Sequence, residues 1–300
     1  MIKGITDSHL HFYDNRINNH AFLEVEDTTF LELVGDYSEL PRKYLLDDYL
    51  KDTTPYSIQG VVWHEFLATD PIKEARWAKS MAEQANVDYA LVAVVDFLDP
   101  QLEERLEIYD SLKKVTGIRE HLGWDPENPQ RRMTKRADLL TDAKWLKQLN
   151  LLEKYHFKCG LEVFTPQISD LLPIIQKHPN IGFTFAVLGW PLDLSEHGFQ
   201  YWKKLIKTLS KFENVCCSIS AIEVIFGMQW TLEQVRPWVL TAIELFGSER
   251  TMFGSHLPIT KLSHGFRTLY AAYEAIVIDF SLPEKQALFS DVARDWFKVD

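Results

Sequence analysis

The sequence predicts an α/β protein folded as a single (β/α)8 TIM barrel spanning residues 1–300. Three observations carry this. About eight short apolar, β-prone runs recur along the chain, most of them followed by a helix-like stretch. The runs are almost continuously apolar, as expected of strands in a parallel sheet covered by helices. No Pro/Ser-rich linker or low-complexity tract divides the 300 residues, and at 46% hydrophobic they suffice for one large core. No Gly-rich turn follows the first run, which makes an open dinucleotide-binding sheet the weaker choice.

The first run is Ile5-Thr6-Asp7-Ser8-His9-Leu10-His11. An irregular stretch over 12–45, rich in Asn, Asp and Glu, is long enough to be a functional loop or lid. Ile58–Phe66 reads as the second strand, and Pro71 opens a helix over 71–85. Tyr89–Val95 is followed by a charged helix over 100–114, and Val115–Leu122 by a basic loop and a helix over 143–155. Lys158–Phe164, Ile181–Val187 and Val215–Ser220 are the next strands, with helices at 169–177, near 199–212 and at 231–246. Arg250–Ser255 is the last run.

The formal charge of −11 argues against a phosphate-binding surface for nucleic acid. No apolar run approaches bilayer-spanning length, and no basic-then-apolar leader opens the sequence, so a soluble, cytoplasmic protein is expected. Cys159, Cys216 and Cys217 are too few and too oddly placed for a disulfide framework. Trp77, Trp145 and Trp202 sit at helical spacing beside apolar residues and are expected in the core. The expected partner is a small-molecule substrate, with self-association into a homo-oligomer left open.

Chemistry in such a barrel sits at the C-terminal ends of its strands. His9 and His11 stand two apart at the first strand's end. Side chains at i and i+2 share a face, so both imidazoles project together and Ser8 and Leu10 face away. Two such imidazoles suit zinc or a similar borderline cation. Other strand ends offer His64 and Glu65, Arg119 and His121, Glu162, Ser218 and Ser220, and His256. None of Ser218, Ser220 or Ser255 lies in a nucleophile elbow.

In this order, these residues resemble the amidohydrolase superfamily, in particular its lactonase-like branch of metal-dependent barrel hydrolases. The opening Asp7-Ser8-His9-Leu10-His11 resembles that branch's D-x-H-x-H. Gly117-Ile118-Arg119 is similar to a fourth-strand segment, Leu188-Gly189-Trp190-Pro191 to the tail of a sixth-strand motif, and Asn214–Ser220 to the seventh strand. Phe253-Gly254-Ser255-His256-Leu257-Pro258 resembles the eighth-strand motif, and 287–294 the family's closing helix. Three departures stand out: Val187 where the family usually has histidine, His256 where it has aspartate or asparagine, and Ser218 where it has lysine.

The resemblance implies a hydrolase acting on a lactone or a related small carboxylic ester or amide. His9, His11 and His256 would converge on one divalent metal, zinc foremost, with a metal-free site as the alternative. His256, Glu65 and Glu162 are the candidate catalytic groups, the two carboxylates as proton acceptors or as orienters of a ring nitrogen. Arg119, His121 and Trp124 are the candidate substrate-binding residues: the guanidinium for a carboxylate or oxyanion, the indole as a stacking wall. Each has a plain structural reading beside it. Glu65 suits an ion pair with Arg119, His64 an outward or helix-layer position, Trp124 a cap on the barrel, and Arg131, Arg132, Lys135 and Arg136 a solvated loop, the alternative for that basic cluster being to draw acidic substrates toward the mouth. Two other functions stay open: a barrel that has lost its chemistry and binds a small molecule, and a decarboxylase or hydratase of the same branch.

Overall fold

The apolar runs become eight parallel strands: β1 (Ile5–Leu10), β2 (Ile58–His64), β3 (Asp88–Val94), β4 (Val115–His121), β5 (Lys158–Glu162), β6 (Phe183–Phe185), β7 (Val215–Ile219) and β8 (Thr251–Phe253). The structure, a computed structural model, describes residues 3–85 and 87–300. Each strand pairs with its neighbour in sequence from β1 to β8. The ring is drawn together by a parallel bridge between Leu10 and Leu257. There the His256 N–H donates to the His9 carbonyl at 2.7 Å and the His11 N–H to the Leu257 carbonyl at 2.8 Å. Gly254 permits this approach, because a Cβ there would lie 2.8 Å from the His9 Cβ.

Alternation sorts the side chains into two cores. Trp63, Leu91, Ile118, Cys217 and Phe253 face the helix layer. Val62, Ala90, Val92, Cys216 and Met252 fill the barrel with Val292, Ala293 and Phe297 from the C-terminal segment. Helices start where expected: Asp70 caps Pro71–Ala82, and Thr231 with Gln234 forms a capping box on Leu232–Phe246. The helix expected over 143–155 is two, Ala143–Leu149 and Leu151–Tyr155, meeting at Asn150. Trp145 and Trp202 are fully buried and Trp77 packs on the core. No helix among the described residues is long and apolar enough to cross a membrane.

The stretch over 12–45 is more ordered than its composition implies. It holds an antiparallel pair, Tyr13–Asp14 with Lys43–Tyr44, and a helix, Thr28–Val34. Asp27 caps that helix through the Phe30 N–H at 2.8 Å. Glu32 on it accepts from Arg131 Nε and Asn128 Nδ2, both at 2.9 Å, so it is tied to the loop after β4. The two segments together roof the barrel mouth.

Candidate functional site

The end of β1 departs from simple alternation. From Asp7 to Leu10 the register advances three residues on β1 against two on β2, Val61 to Trp63. This extra residue is a β-bulge, a device that re-aims side chains at barrel rims. The expectation that Ser8 faces away from the histidines is therefore corrected. Ser8 Oγ meets Ser218 Oγ at 3.2 Å inside the barrel, and His9 and His11 still line the mouth. Asp7 takes the outer side and holds the bulge. Its carboxylate accepts from the Ser255 N–H at 2.8 Å, the His9 N–H at 3.2 Å and the Tyr49 hydroxyl at 3.0 Å.

His256 reaches the same place from the opposite side of the closure. Its φ of +58°, like +56° at Ala221 and +53° at Val187, lies in the left-handed region that non-glycine residues seldom occupy. Three consecutive strand ends thus carry strained backbone at one rim, where such strain commonly marks a site. The ring centroids lie 5.0 Å apart for His9 and His11, 4.9 Å for His9 and His256, and 5.4 Å for His11 and His256. One nitrogen from each of the three falls within 4.8 Å of the others.

Every Nδ1 in this trio is occupied. His9 Nδ1 pairs with Ser220 Oγ at 2.8 Å. His11 Nδ1 donates to the carbonyls of His64 and Glu65 at 3.2 and 3.0 Å. His256 Nδ1 meets Glu223 Oε1 at 2.6 Å. That leaves the three Nε2 atoms, and His9 Nε2 is buried with no hydrogen-bond partner. Burial first, then the neighbouring imidazoles, holds His9 and His11 well below the ordinary histidine range, so both rings are neutral. Neutral imidazoles with Nδ1 fixed by outer partners are the donor set of a borderline divalent cation.

His64, expected outside the barrel or in the helix layer, instead lies inside it, 4.2 Å from the His9 ring. It continues the inward face of Val62, and its Nε2 donates to the Ser8 carbonyl at 3.2 Å. Burial and the nearby Arg119 push its pKa down to about 3.

A second constellation stands beside the trio. Arg119 and His121 share the inner face of β4, and the register sets His121 against Glu162 of β5. Arg119 Nε donates to Glu65 Oε1 and Nη1 to Glu162 Oε1, both at 2.6 Å, while Nη2 donates to the Glu65 carbonyl at 2.9 Å. His121 bridges the same carboxylates, Nδ1 to Glu162 at 2.8 Å and Nε2 to Glu65 at 3.1 Å. Burial pushes both carboxyls up, but Arg119 and His121 outweigh it and hold them far below the usual range. Burial likewise opposes protonation of His121, yet Glu162 prevails and raises it to about 9. The quartet is two anions and two cations, charge-balanced within itself.

The trio and the quartet floor a cavity of about 390 Å³ lined also by Arg132, Val187, Trp190 and the roof helix. His9, His11, His256, Arg119, His121 and Glu162 all line it; Glu65 lies behind Arg119. Trp124 lies off the lining and carries the Arg132 guanidinium 4.5 Å above its ring. The reading of 131–136 as wholly solvated is corrected at Arg132, which lines the cavity, and at Arg131, which anchors Glu32. Sequence reasoning missed Glu223. The available signal was an acid inside the apolar run Ala221–Phe226, since an acidic residue so placed requires a partner.

A parallel eight-stranded barrel with imidazoles gathered at its C-terminal rim carries its polar groups where barrels of this class place their active sites. The chain belongs to the amidohydrolase family, whose sequence profile matches residues 6–299. It is 27% identical over 300 residues to the uncharacterized protein y4mH of Sinorhizobium fredii, covering 99% of each chain. It is 22% identical to the L-fucono-1,5-lactonase of Burkholderia multivorans, over 96% of this chain and 93% of that one. The crystal structure of an amidohydrolase from Burkholderia multivorans with bound zinc superposes with a TM-score of 0.80 at 20% identity, covering 99% of this chain and 100% of that one.

Proposed function

We propose that this amidohydrolase-family protein is a cytoplasmic hydrolase that opens a lactone or cleaves a related small carboxylic ester or amide. The observation that carries the reading is the convergence of three imidazoles, their Nδ1 atoms engaged, on one cavity floor. The orphaned His9 Nε2 fits a cation-binding role, and His9, His11 and His256 would hold the ion. A divalent cation bound by three imidazoles acidifies a water and polarises a carbonyl oxygen.

The chain's own groups supply the rest. Hydrolysis adds water across the acyl C–O or C–N bond, its oxygen to the carbonyl carbon and a proton to the departing heteroatom. Arg119 commits Nε and both Nη2 hydrogens to Glu65 and one Nη1 hydrogen to Glu162, leaving one Nη1 N–H for the oxyanion that develops. His121 has both nitrogens committed, so it orients the carboxylates rather than the substrate. Glu65 and Glu162, held ionised by their cations, fix Arg119 in place and are poor proton acceptors. Roofing by Thr28–Val34 limits water at the floor.

The test is elemental analysis of purified protein, then turnover of sugar-acid lactones, hydrocarbon lactones and aryl esters with added zinc or manganese. One metal per chain and a turnover lost in His9→Ala support the reading; absence of both refutes it. The commitment of both carboxylates to ion pairs favours one rival, a barrel that only binds. In that case His9→Ala would leave ligand affinity nearly intact and no turnover would exist to lose.

A further inference from the structure

We infer that the substrate has a hydrocarbon body and carries a carboxylate at the end remote from the imidazoles, rather than being a polyhydroxylated sugar derivative. This rests on the hydrolase reading above. Away from its polar floor the cavity is walled by apolar side chains, Phe22, Phe30, Leu33 and Val34 from the roof and Val187 and Trp190 from the β6 end. A ring bearing several hydroxyls would press most of them against this wall, where only the Trp190 indole N–H donates, and each hydroxyl buried without a partner weakens binding. A hydrocarbon body loses nothing there.

The charged lining narrows the choice. Arg119 and His121 are neutralised by Glu65 and Glu162. Asp27 spends its carboxylate on the N-terminus of the roof helix. Arg132 differs: Nε donates to the Asp125 carbonyl at 3.0 Å and Nη2 to the Pro126 carbonyl at 2.9 Å, both uncharged acceptors. Among the described residues no carboxylate lies within ion-pair distance of it, and the Trp124 ring supports its plane at 4.5 Å. A guanidinium fixed by carbonyls and an aromatic face, its charge uncompensated, is built to receive a carboxylate. Trp124 is then a positioning residue that acts through Arg132.

The test separates binding from turnover. Calorimetric titration with 3-phenylpropionate, its neutral amide and gluconate is run on wild type and Arg132→Gln. The expected result is preference for 3-phenylpropionate over gluconate and a loss of about 10- to 100-fold for 3-phenylpropionate in Arg132→Gln. The neutral amide should bind both proteins alike, and Trp124→Leu should show part of the same acid-specific loss. Gluconate binding as well as 3-phenylpropionate, equal loss for acid and amide, or no loss at all overturns the inference. Turnover of sugar lactones alone would likewise overturn it while sparing the hydrolase reading. Acid-selective binding without hydrolysis of any ester or lactone would sink the hydrolase reading and leave the pocket assignment standing.

Discussion

Glu223→Gln isolates what an outer partner does for an imidazole proposed to hold a metal. Glu223 is 1% exposed, and its Oε1 stands 2.6 Å from His256 Nδ1. Glutamine keeps the volume and an acceptor oxygen, so the ring stays oriented while a charge-assisted bond becomes a neutral one. Charge-assisted bonds contribute about 1.5–3 kcal/mol and neutral ones about 0.5–1.5, a difference of roughly 1–1.5 kcal/mol. At 1.4 kcal/mol per decade that is close to tenfold in zinc affinity, the lower end of the roughly 10–100-fold typical of such partners. Competition against a chromophoric chelator measures it directly on metal-free protein. Ser220→Ala removes a neutral bond of 2.8 Å from His9 Nδ1 and should cost less, about threefold. Urea unfolding of both variants checks that the fold is intact. Wild-type zinc affinity in Glu223→Gln, or a larger loss in Ser220→Ala, would refute the assignment of His256 as a ligand oriented by Glu223.

Arg119→Met leaves Glu65 and Glu162 buried with only His121 to balance them, and should lower unfolding stability by about 3–5 kcal/mol at neutral pH; a loss under about 1 kcal/mol in urea titration would contradict the charge balance described. The same quartet sets a pH window. His121, raised from 6.5 to about 9, contributes stability that is complete below about 6.5 and lost as pH climbs through 9. Glu65 and Glu162, held below 4.5, contribute stability present above that value and lost as pH falls through their lowered values. Thermal unfolding should therefore plateau between about pH 5 and 6.5 and fall progressively from there to about pH 9, and His121→Asn should flatten that alkaline fall. An alkaline limb unchanged in that variant would show that His121 is not its source.

Periodicity made the barrel legible because each β run ends near a helix signal that the structure honours, such as Asp70-Pro71 or Thr231 with Gln234. The His9–His11 pair was legible for a similar reason: an i, i+2 spacing survives a bulge that begins before it. The bulge itself was not, since an extra residue in pairing depends on the partner strand and leaves no mark on the strand's own sequence. Simple alternation therefore puts Ser8 on the wrong face. It cannot place His64, because a run apolar on both faces, as Val61, Val62 and Trp63 are, does not say which face is inside. Trp124 and Arg132 exchanged places for the same kind of reason. Loop residues have no period, so which of two neighbours meets the cavity is decided by tertiary contacts.

The departures from the family pattern bear on the chemistry together rather than singly. Were His256 simply a proton acceptor, its Nε2 would need a free face, and His9 and His11 would have no reason to turn theirs toward it. The arrangement does the opposite. Ser220, two backbone carbonyls and Glu223 occupy the three Nδ1 atoms and leave the three Nε2 atoms to share one space. His9 Nε2 is buried there without a partner, and a buried polar atom left unpaired costs about 1–3 kcal/mol. The left-handed backbone at His256 adds a further cost of about 1–3 kcal/mol. A fold retains such expenses at one rim when something electrophilic binds there. Aspartate in that position would contribute negative charge and basicity; histidine contributes a third imidazole nitrogen. On the hydrolase reading proposed above, histidine at this position favours ligation over base catalysis by a carboxylate, and Glu65 and Glu162, bound to Arg119 and His121, do not supply such a base.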